Sequence, residues 1–124
     1  MKFMCNEMLD PGLSYLRANA DKMFICSAYP TTYTEASSTF LLSTVTLLIG
    51  NWAGPASNAE SGRVLSLDPF YGVPVTASGV RAYVAFCNAT QTKIIHVTEC
   101  TNEYMASGDT ILIPATEITF AQPV

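Results

Sequence analysis

The chain has 124 residues, a length that fits a single domain. Apolar residues make up 49% of it and charged residues 13%, about half the usual share of charge, which excludes an intrinsically disordered chain or a coiled coil. The net charge is −4 with only six Lys and Arg, so the composition argues against a nucleic-acid partner, which would require a basic surface.

The first residues predict an N-terminal arm at 1–9, followed by a single β-rich domain at 10–124. The arm has a basic start but lacks the apolar run of a secretory signal. The longest apolar stretch, 40–49, is about half the length that spans a bilayer. We therefore expect synthesis in the cytoplasm and no membrane partner.

One short helix is predicted over residues 11–20. Asp10 suits the N-cap and Pro11 the first helical position, and apolar residues recur behind them at helical spacing.

The rest of the chain has the pattern of short strands separated by turns. An apolar run predicts a strand at 23–26, and a polar connection at 27–39 leads to one long or two short strands at 40–49. A loop is predicted at 51–58 because this segment contains Gly54-Pro55, a pair that is typical of turns and loops. Further strands are predicted at 64–67, 73–76, 80–87, 93–98, 110–113 and 117–120.

Alternation is clearest at 80–87, where every second residue is apolar and shares one face. In the following strand we expect Ile95 and Val97 to face inward, opposite Ile94 and His96. The proline at 74 confines its strand to an edge or an irregular position. Together these strands predict a mainly β fold, a β-sandwich or barrel-like arrangement of antiparallel sheets with one short N-terminal helix.

No catalytic, cofactor or metal site is predicted, and we do not expect an enzyme. His96 is the sole histidine, and the glycines are too dispersed for a phosphate-binding loop. The four cysteines, at 5, 26, 87 and 100, lack zinc-site spacing. Buried free thiols are the first interpretation, and Cys5 is the candidate for an intermolecular disulfide.

The candidate partner-binding residues are apolar and aromatic residues outside the predicted core. Such residues are enriched at the centres of protein interfaces. They lie in the arm and in predicted loops: Phe3, Met4, Met8, Tyr29, Tyr33, Trp52, Phe70 and Tyr71. Each alone is as well explained by packing beneath its loop, but together, in a chain of low charge, they predict a surface that partners cover.

Three stretches of the chain carry a family resemblance. They are a helix leading into a strand and the loop Pro30-Thr31-Thr32-Tyr33, the strand Gly62-Arg63-Val64 with the later turn Ala77-Ser78-Gly79, and the turn Ser107-Gly108-Asp109 before a strand that ends at Pro114. Taken together, they resemble small structural proteins of tailed-bacteriophage virions, of the head decoration (cement) type.

The resemblance implies a virion protein that binds the outer surface of the phage head and stabilises the capsid lattice. Its implied partners are the major capsid protein and further copies of itself, as a dimer or trimer. A minor tail or neck structural protein is the first alternative, and copy number would separate the two. A small-molecule-binding β-barrel is a further alternative, which predicts an interior cavity.

Overall fold

A computed structural model describes residues 14–57 and 62–121. The predicted helix is present at 14–19, where Leu16 is buried. The start of that helix and the predicted arm at 1–9 lie outside the described residues. No helix within the described ranges is long and apolar enough to cross a membrane.

Nine strands follow in the part of the chain that the structure describes, and most coincide with predicted strands. They are β1 (Lys22–Cys26), β2 (Leu41–Thr46), β3 (Trp52–Ser57), β4 (Gly62–Leu67), β5 (Phe70–Pro74), β6 (Gly79–Asn88), β7 (Lys93–Met105), β8 (Thr110–Ile113) and β9 (Thr116–Ala121).

The strands pair antiparallel into three sheets. A four-stranded sheet has the order β2-β1-β6-β7, a three-stranded sheet the order β3-β4-β9, and a two-stranded sheet joins β5 and β8. Over the described residues the sheets do not close into a barrel, and their layout is that of a sandwich. The predicted mainly β fold with one short helix is confirmed, and so is the edge position of the Pro74 strand.

The main core lies between the four-stranded sheet and the two smaller sheets. Each large side chain buried there contributes about 1.5–3 kcal/mol relative to exposure. All three sheets supply members: Met23, Ile25 and Phe86 from the first, Trp52, Leu65, Leu67 and Ile118 from the second, and Val73 and Ile113 from the third.

A second, smaller core lies on the opposite face of the four-stranded sheet. The connection at 27–40, predicted as a polar segment, forms a π-helical turn at Glu35–Thr39 and places the fully buried Ala36 in this core. Tyr33 meets Phe24 edge to face, with ring centroids 5.9 Å apart. The connection is therefore a folded cover over part of the sheet.

The predicted loop at 51–58 is wrong, because most of it forms β3. The pairing of β3 with β4 shifts register between Ala53 and Ala56, and Gly54 adopts a φ of +108°. A bulge at this point accommodates the Gly-Pro pair without ending the strand. The bulge is why the Gly-Pro signal misled the prediction.

The hairpin of β6 and β7 contains a bulge near its turn. Phe86 pairs with His96 and Cys87 with Ile94, so that Ile95 is an extra residue in β7. An extra residue reverses which face the following side chains occupy.

This reversal corrects the predicted faces of β7. Ile95 packs against the main core, as expected, but Val97 packs against the second core on the same side as Ile94. His96, predicted to lie opposite Ile95, stacks on Phe86 with ring centroids 6.1 Å apart.

Candidate functional site

The five aromatic residues predicted in loops have different environments. Tyr29 and Tyr71 are exposed, whereas Tyr33 and Phe70 are half-buried against the second and main cores. Trp52 is only 4% exposed and packs in the main core. Trp52 begins β3, and Phe70 and Tyr71 lie in β5, so the predicted loop positions of all three are corrected. The buried side chain of Trp52 offers almost no surface to a partner.

The remaining predicted residues, Phe3, Met4, Met8 and Cys5, lie outside the described residues. Their roles in partner binding and in an intermolecular disulfide stay predictions.

Four exposed apolar residues lie on four different strands, in two pairs of neighbouring strands. We define the apolar patch as Tyr71, Val80, Tyr104 and Leu112, whose exposures are 76%, 47%, 65% and 54%. Val80 pairs directly with Tyr104 across β6 and β7, which brings their Cβ atoms within about 5.5 Å. Tyr104 and Leu112 line the same surface cavity of about 310 Å³.

Tyr71 joins this patch through the two-stranded sheet. The pairs Phe70–Ile113 and Val73–Ile111 leave Tyr71 and Gly72 opposite Leu112. Residues on either side of Leu112 pack toward the main core, so Leu112 faces away from it. The result is two strand pairs, β6 with β7 and β5 with β8, that each carry exposed apolar side chains.

Sequence reasoning found only Tyr71 among these four residues. Val80 and Leu112 lie within predicted strands, where an apolar residue is normally assigned to the core, and Tyr104 lies in the part of β7 that extends beyond the strand predicted at 93–98. Tyr104 and Leu112 are exposed because the residues next to them, Met105 and Ile113, point into the main core, and side chains alternate along a strand.

Two further exposed apolar residues, Leu48 and Ile49, lie in the connection between β2 and β3. The side chain of Asn51 accepts a hydrogen bond of 2.8 Å from the backbone N–H of Leu48 and fixes this turn. The pair lies on a different segment from the apolar patch, so substitutions of these two residues provide a matched control for substitutions in the patch.

A cavity of about 240 Å³ lies between the four-stranded sheet and the end of β8. It adjoins a second bulge of β7, where the pairs Arg81–Glu103 and Tyr83–Glu99 leave three residues of β7 opposite Ala82. We call this space the bulge cavity. Its lining residues are Met23, Ile25, Arg81, Val84, Thr98, Glu99, Cys100, Thr101, Ile113 and Pro114.

Arg81 lines both the bulge cavity and the cavity beside Tyr104. Its Nε donates a hydrogen bond of 3.0 Å to the carbonyl of Thr101, and its Nη2 donates one of 2.8 Å to Glu103. The first bond fixes the bulged backbone, and the second is an ion pair between the mostly buried Arg81 side chain and the exposed Glu103.

The three described cysteines are free. Burial raises the pKa of Cys26 to about 11 and that of Cys87 to about 12. Cys26 pairs with Tyr83, four positions from Cys87 on β6, so their Cα atoms are roughly 13 Å apart along the strands. That separation excludes a disulfide between them.

Residues 14–57 and 62–121 contain no group of three or more His, Cys, Asp or Glu that could hold a metal ion. Burial lowers the pKa of His96, whose ring packs on Phe86. The described surface also carries the apolar patch and the bulge cavity.

No protein-family model matches the chain, and neither a curated protein nor a solved structure matches it.

Proposed function

We propose that this protein is a structural component of a tailed-bacteriophage virion, a decoration (cement) protein that binds the outer surface of the capsid and stabilises its lattice. Its partners in this proposal are the major capsid protein and other copies of the chain. The observation that carries the proposal is the apolar patch, and the resemblance to small virion proteins gives it this particular form.

The composition of the patch supports a role in protein binding. Two tyrosines supply large contact areas with few rotatable bonds, and tyrosine is enriched among the residues that dominate binding energy. Val80 and Leu112 add apolar area between and beside them. Large apolar side chains that stay exposed in neighbouring pairs on a small protein are candidates for an interaction site.

The fold supports the same role by holding the patch in place. Val80 and Tyr104 lie on paired strands, and Tyr71 and Leu112 lie on a second pair whose inner residues pack in the main core. Few side chains or loops of this protein therefore lose conformational freedom when a partner binds, which lowers the entropic cost of binding.

Repetition explains how modest contacts would stabilise a capsid. A copy that contacts two neighbouring subunits binds the second at a high effective concentration, so the combined affinity exceeds that of either contact. Contacts between copies would extend this effect over the lattice. No catalytic chemistry is required for such a role.

A minor structural protein of the tail or neck would use the same apolar patch. Such a protein differs from a decoration protein in copy number and not in surface chemistry, so copy number is the deciding measurement.

The test is quantitative mass spectrometry of purified particles from the source phage, with this protein counted against the major capsid protein. A ratio near one, or a simple fraction such as about one third, is expected for binding at equivalent lattice positions. A ratio of roughly a few per cent or less would assign the chain to the neck or tail. Complete absence from particles would reject a virion role.

A further inference from the structure

We propose that the bulge cavity binds a small, neutral, mainly apolar molecule of roughly the size of a substituted benzene. This inference goes beyond the structural role proposed above and rests on the cavity's walls, size and charge.

The cavity exists because β7 bows away from β6. Three residues of β7, 100–102, stand opposite Ala82 alone, and the Nε of Arg81 holds the bowed backbone through the carbonyl of Thr101. The space is therefore built into the strand pairing and does not depend on a side-chain rotation to open.

The inner wall of the cavity is apolar. Met23, Ile25 and Ile113 belong to the main core, and Val84 packs against it. Polar groups lie on the β7 side, where Thr98 pairs with Val84. An apolar wall with a few polar groups at one side is the usual form of a small-molecule site.

The volume limits the size of the ligand. At about 240 Å³ the cavity is larger than the roughly 150 Å³ apolar cavity that binds benzene, and smaller than the range of about 300–1,000 Å³ typical of drug-sized ligands. One aromatic ring or a short alkyl chain with a single polar substituent fits between these limits.

The charges around the cavity favour a neutral ligand. Arg81 would repel a cation, although its charge is already paired with Glu103. The exposed Glu99 lines the same cavity and would repel an anion. A hydroxyl or carbonyl oxygen can use the threonine hydroxyls and the guanidinium without bringing an unpaired charge into a partly apolar space.

Benzyl alcohol is a suitable probe, and its titration into the full-length protein can be followed by amide chemical shifts in NMR. We expect saturable shifts at Val84, Thr98 and Cys100, with a dissociation constant on the order of millimolar for so small a ligand. Phenylacetate and protonated benzylamine, which carry opposite charges on a similar ring, should each bind at least about tenfold more weakly.

Thr98→Phe fills the cavity from the edge strand and should weaken benzyl alcohol binding about tenfold or more. Thr39→Phe adds the same ring at an exposed position in the cover over the second core and should leave binding within about twofold. Val84→Phe, at the position paired with Thr98, is a second filling variant if the first does not fold.

Three outcomes would overturn the inference. The location fails if the shifts concentrate on Tyr71, Tyr104 and Leu112, or if a folded filling variant binds like the wild type. The ligand class fails if either charged probe binds as tightly as benzyl alcohol. Because the wild-type shifts locate the site directly, the location is tested even without a folded variant.

Discussion

Trp52 packs its indole against the ring of Phe86, with ring centroids 5.7 Å apart and planes tilted by 52°. Trp52 begins β3 in the three-stranded sheet, and Phe86 lies in β6 of the four-stranded sheet. This contact joins the two layers of the sandwich at the centre of the main core. The His96 ring stacks on the same Phe86, so one side chain connects three elements.

The indole Nε1 of Trp52 is buried with no hydrogen-bond acceptor among the described residues. Trp52→Ala should lower the free energy of unfolding by about 3–5 kcal/mol, because it removes the ring and leaves a cavity. Trp52→Phe should cost much less, since losing an unpaired donor, worth about 1–3 kcal/mol, offsets the lost volume. Urea denaturation followed by circular dichroism measures both changes. Equal losses in the two variants would contradict an unpaired indole.

The sequence predicts the local elements of this fold but not the bulges in its strands. Strand content, turns and the short helix follow from alternation and Gly, Pro and Asp signals, which act locally. Bulges do not, because an extra residue such as Ile95 is defined only by the strand that it pairs with. Gly54-Pro55 predicts a loop, yet the pairing with β4 turns it into a bulge.

The candidate site depends even more on long-range pairing. Tyr71 and Leu112 are 41 positions apart in the chain and meet only because β5 pairs with β8. The bulge cavity likewise requires the three residues of β7 that stand opposite the single residue Ala82. The residue pattern within a single segment therefore predicts neither the pairing of β5 with β8 nor the bulge between β6 and β7.

His96 should make the protein less stable in mild acid. Burial holds the pKa of His96 below 6.5, the usual value of an exposed histidine, which applies to the unfolded chain. Below about pH 6.5 the unfolded state therefore binds the proton more readily, and the free energy of unfolding falls as the pH falls. We expect a larger loss between about pH 7 and about pH 5.5 in the wild type than in His96→Phe, which cannot titrate. Urea denaturation at the two pH values checks this, and identical losses would contradict it.

The two fully buried thiols should be unreactive in the folded protein. With pKa values near 11 and 12, Cys26 and Cys87 have at most about one thiolate in a thousand at pH 8, and both are shielded from reagents. Cys100 is only half-buried and should react first among the three described cysteines. Timed alkylation followed by peptide mass spectrometry gives the order. Faster modification of Cys26 than of Cys100 in the native state would contradict the buried placement.

The same two thiols predict a stability loss in alkali. Because their folded pKa values lie above the unfolded value of 9.0, their contribution is complete below about pH 9 and decreases as the pH rises toward 11 or 12. Cys87→Ala should reduce the slope of stability against pH over that interval. An unchanged slope would show that Cys87 ionises alike in both states.

Cys5 carries the prediction of an intermolecular disulfide. Cys26 and Cys87 are buried and too far apart to pair with each other, so they do not compete for this role. Purified particles should show a ladder on non-reducing gels that reductant removes, and Cys5→Ser should abolish it while Cys100→Ser should not. Monomer under both conditions would reject the disulfide.

The apolar patch should be required for binding to particles but not for folding. The double variant Tyr104→Ser and Leu112→Ser removes two exposed side chains, so the free energy of unfolding should change by only about 1 kcal/mol in total. Binding to particles that lack the protein should weaken about tenfold to a hundredfold, since each interface residue of this kind is worth about 1 kcal/mol or more. Co-sedimentation measures the binding.

The matched control is Leu48→Ser with Ile49→Ser, which removes two similarly exposed apolar side chains elsewhere and should bind like the wild type. Equal binding by both double variants would reject the patch as the docking surface, and equal weakening would show that general surface hydrophobicity, and not this patch, drives attachment.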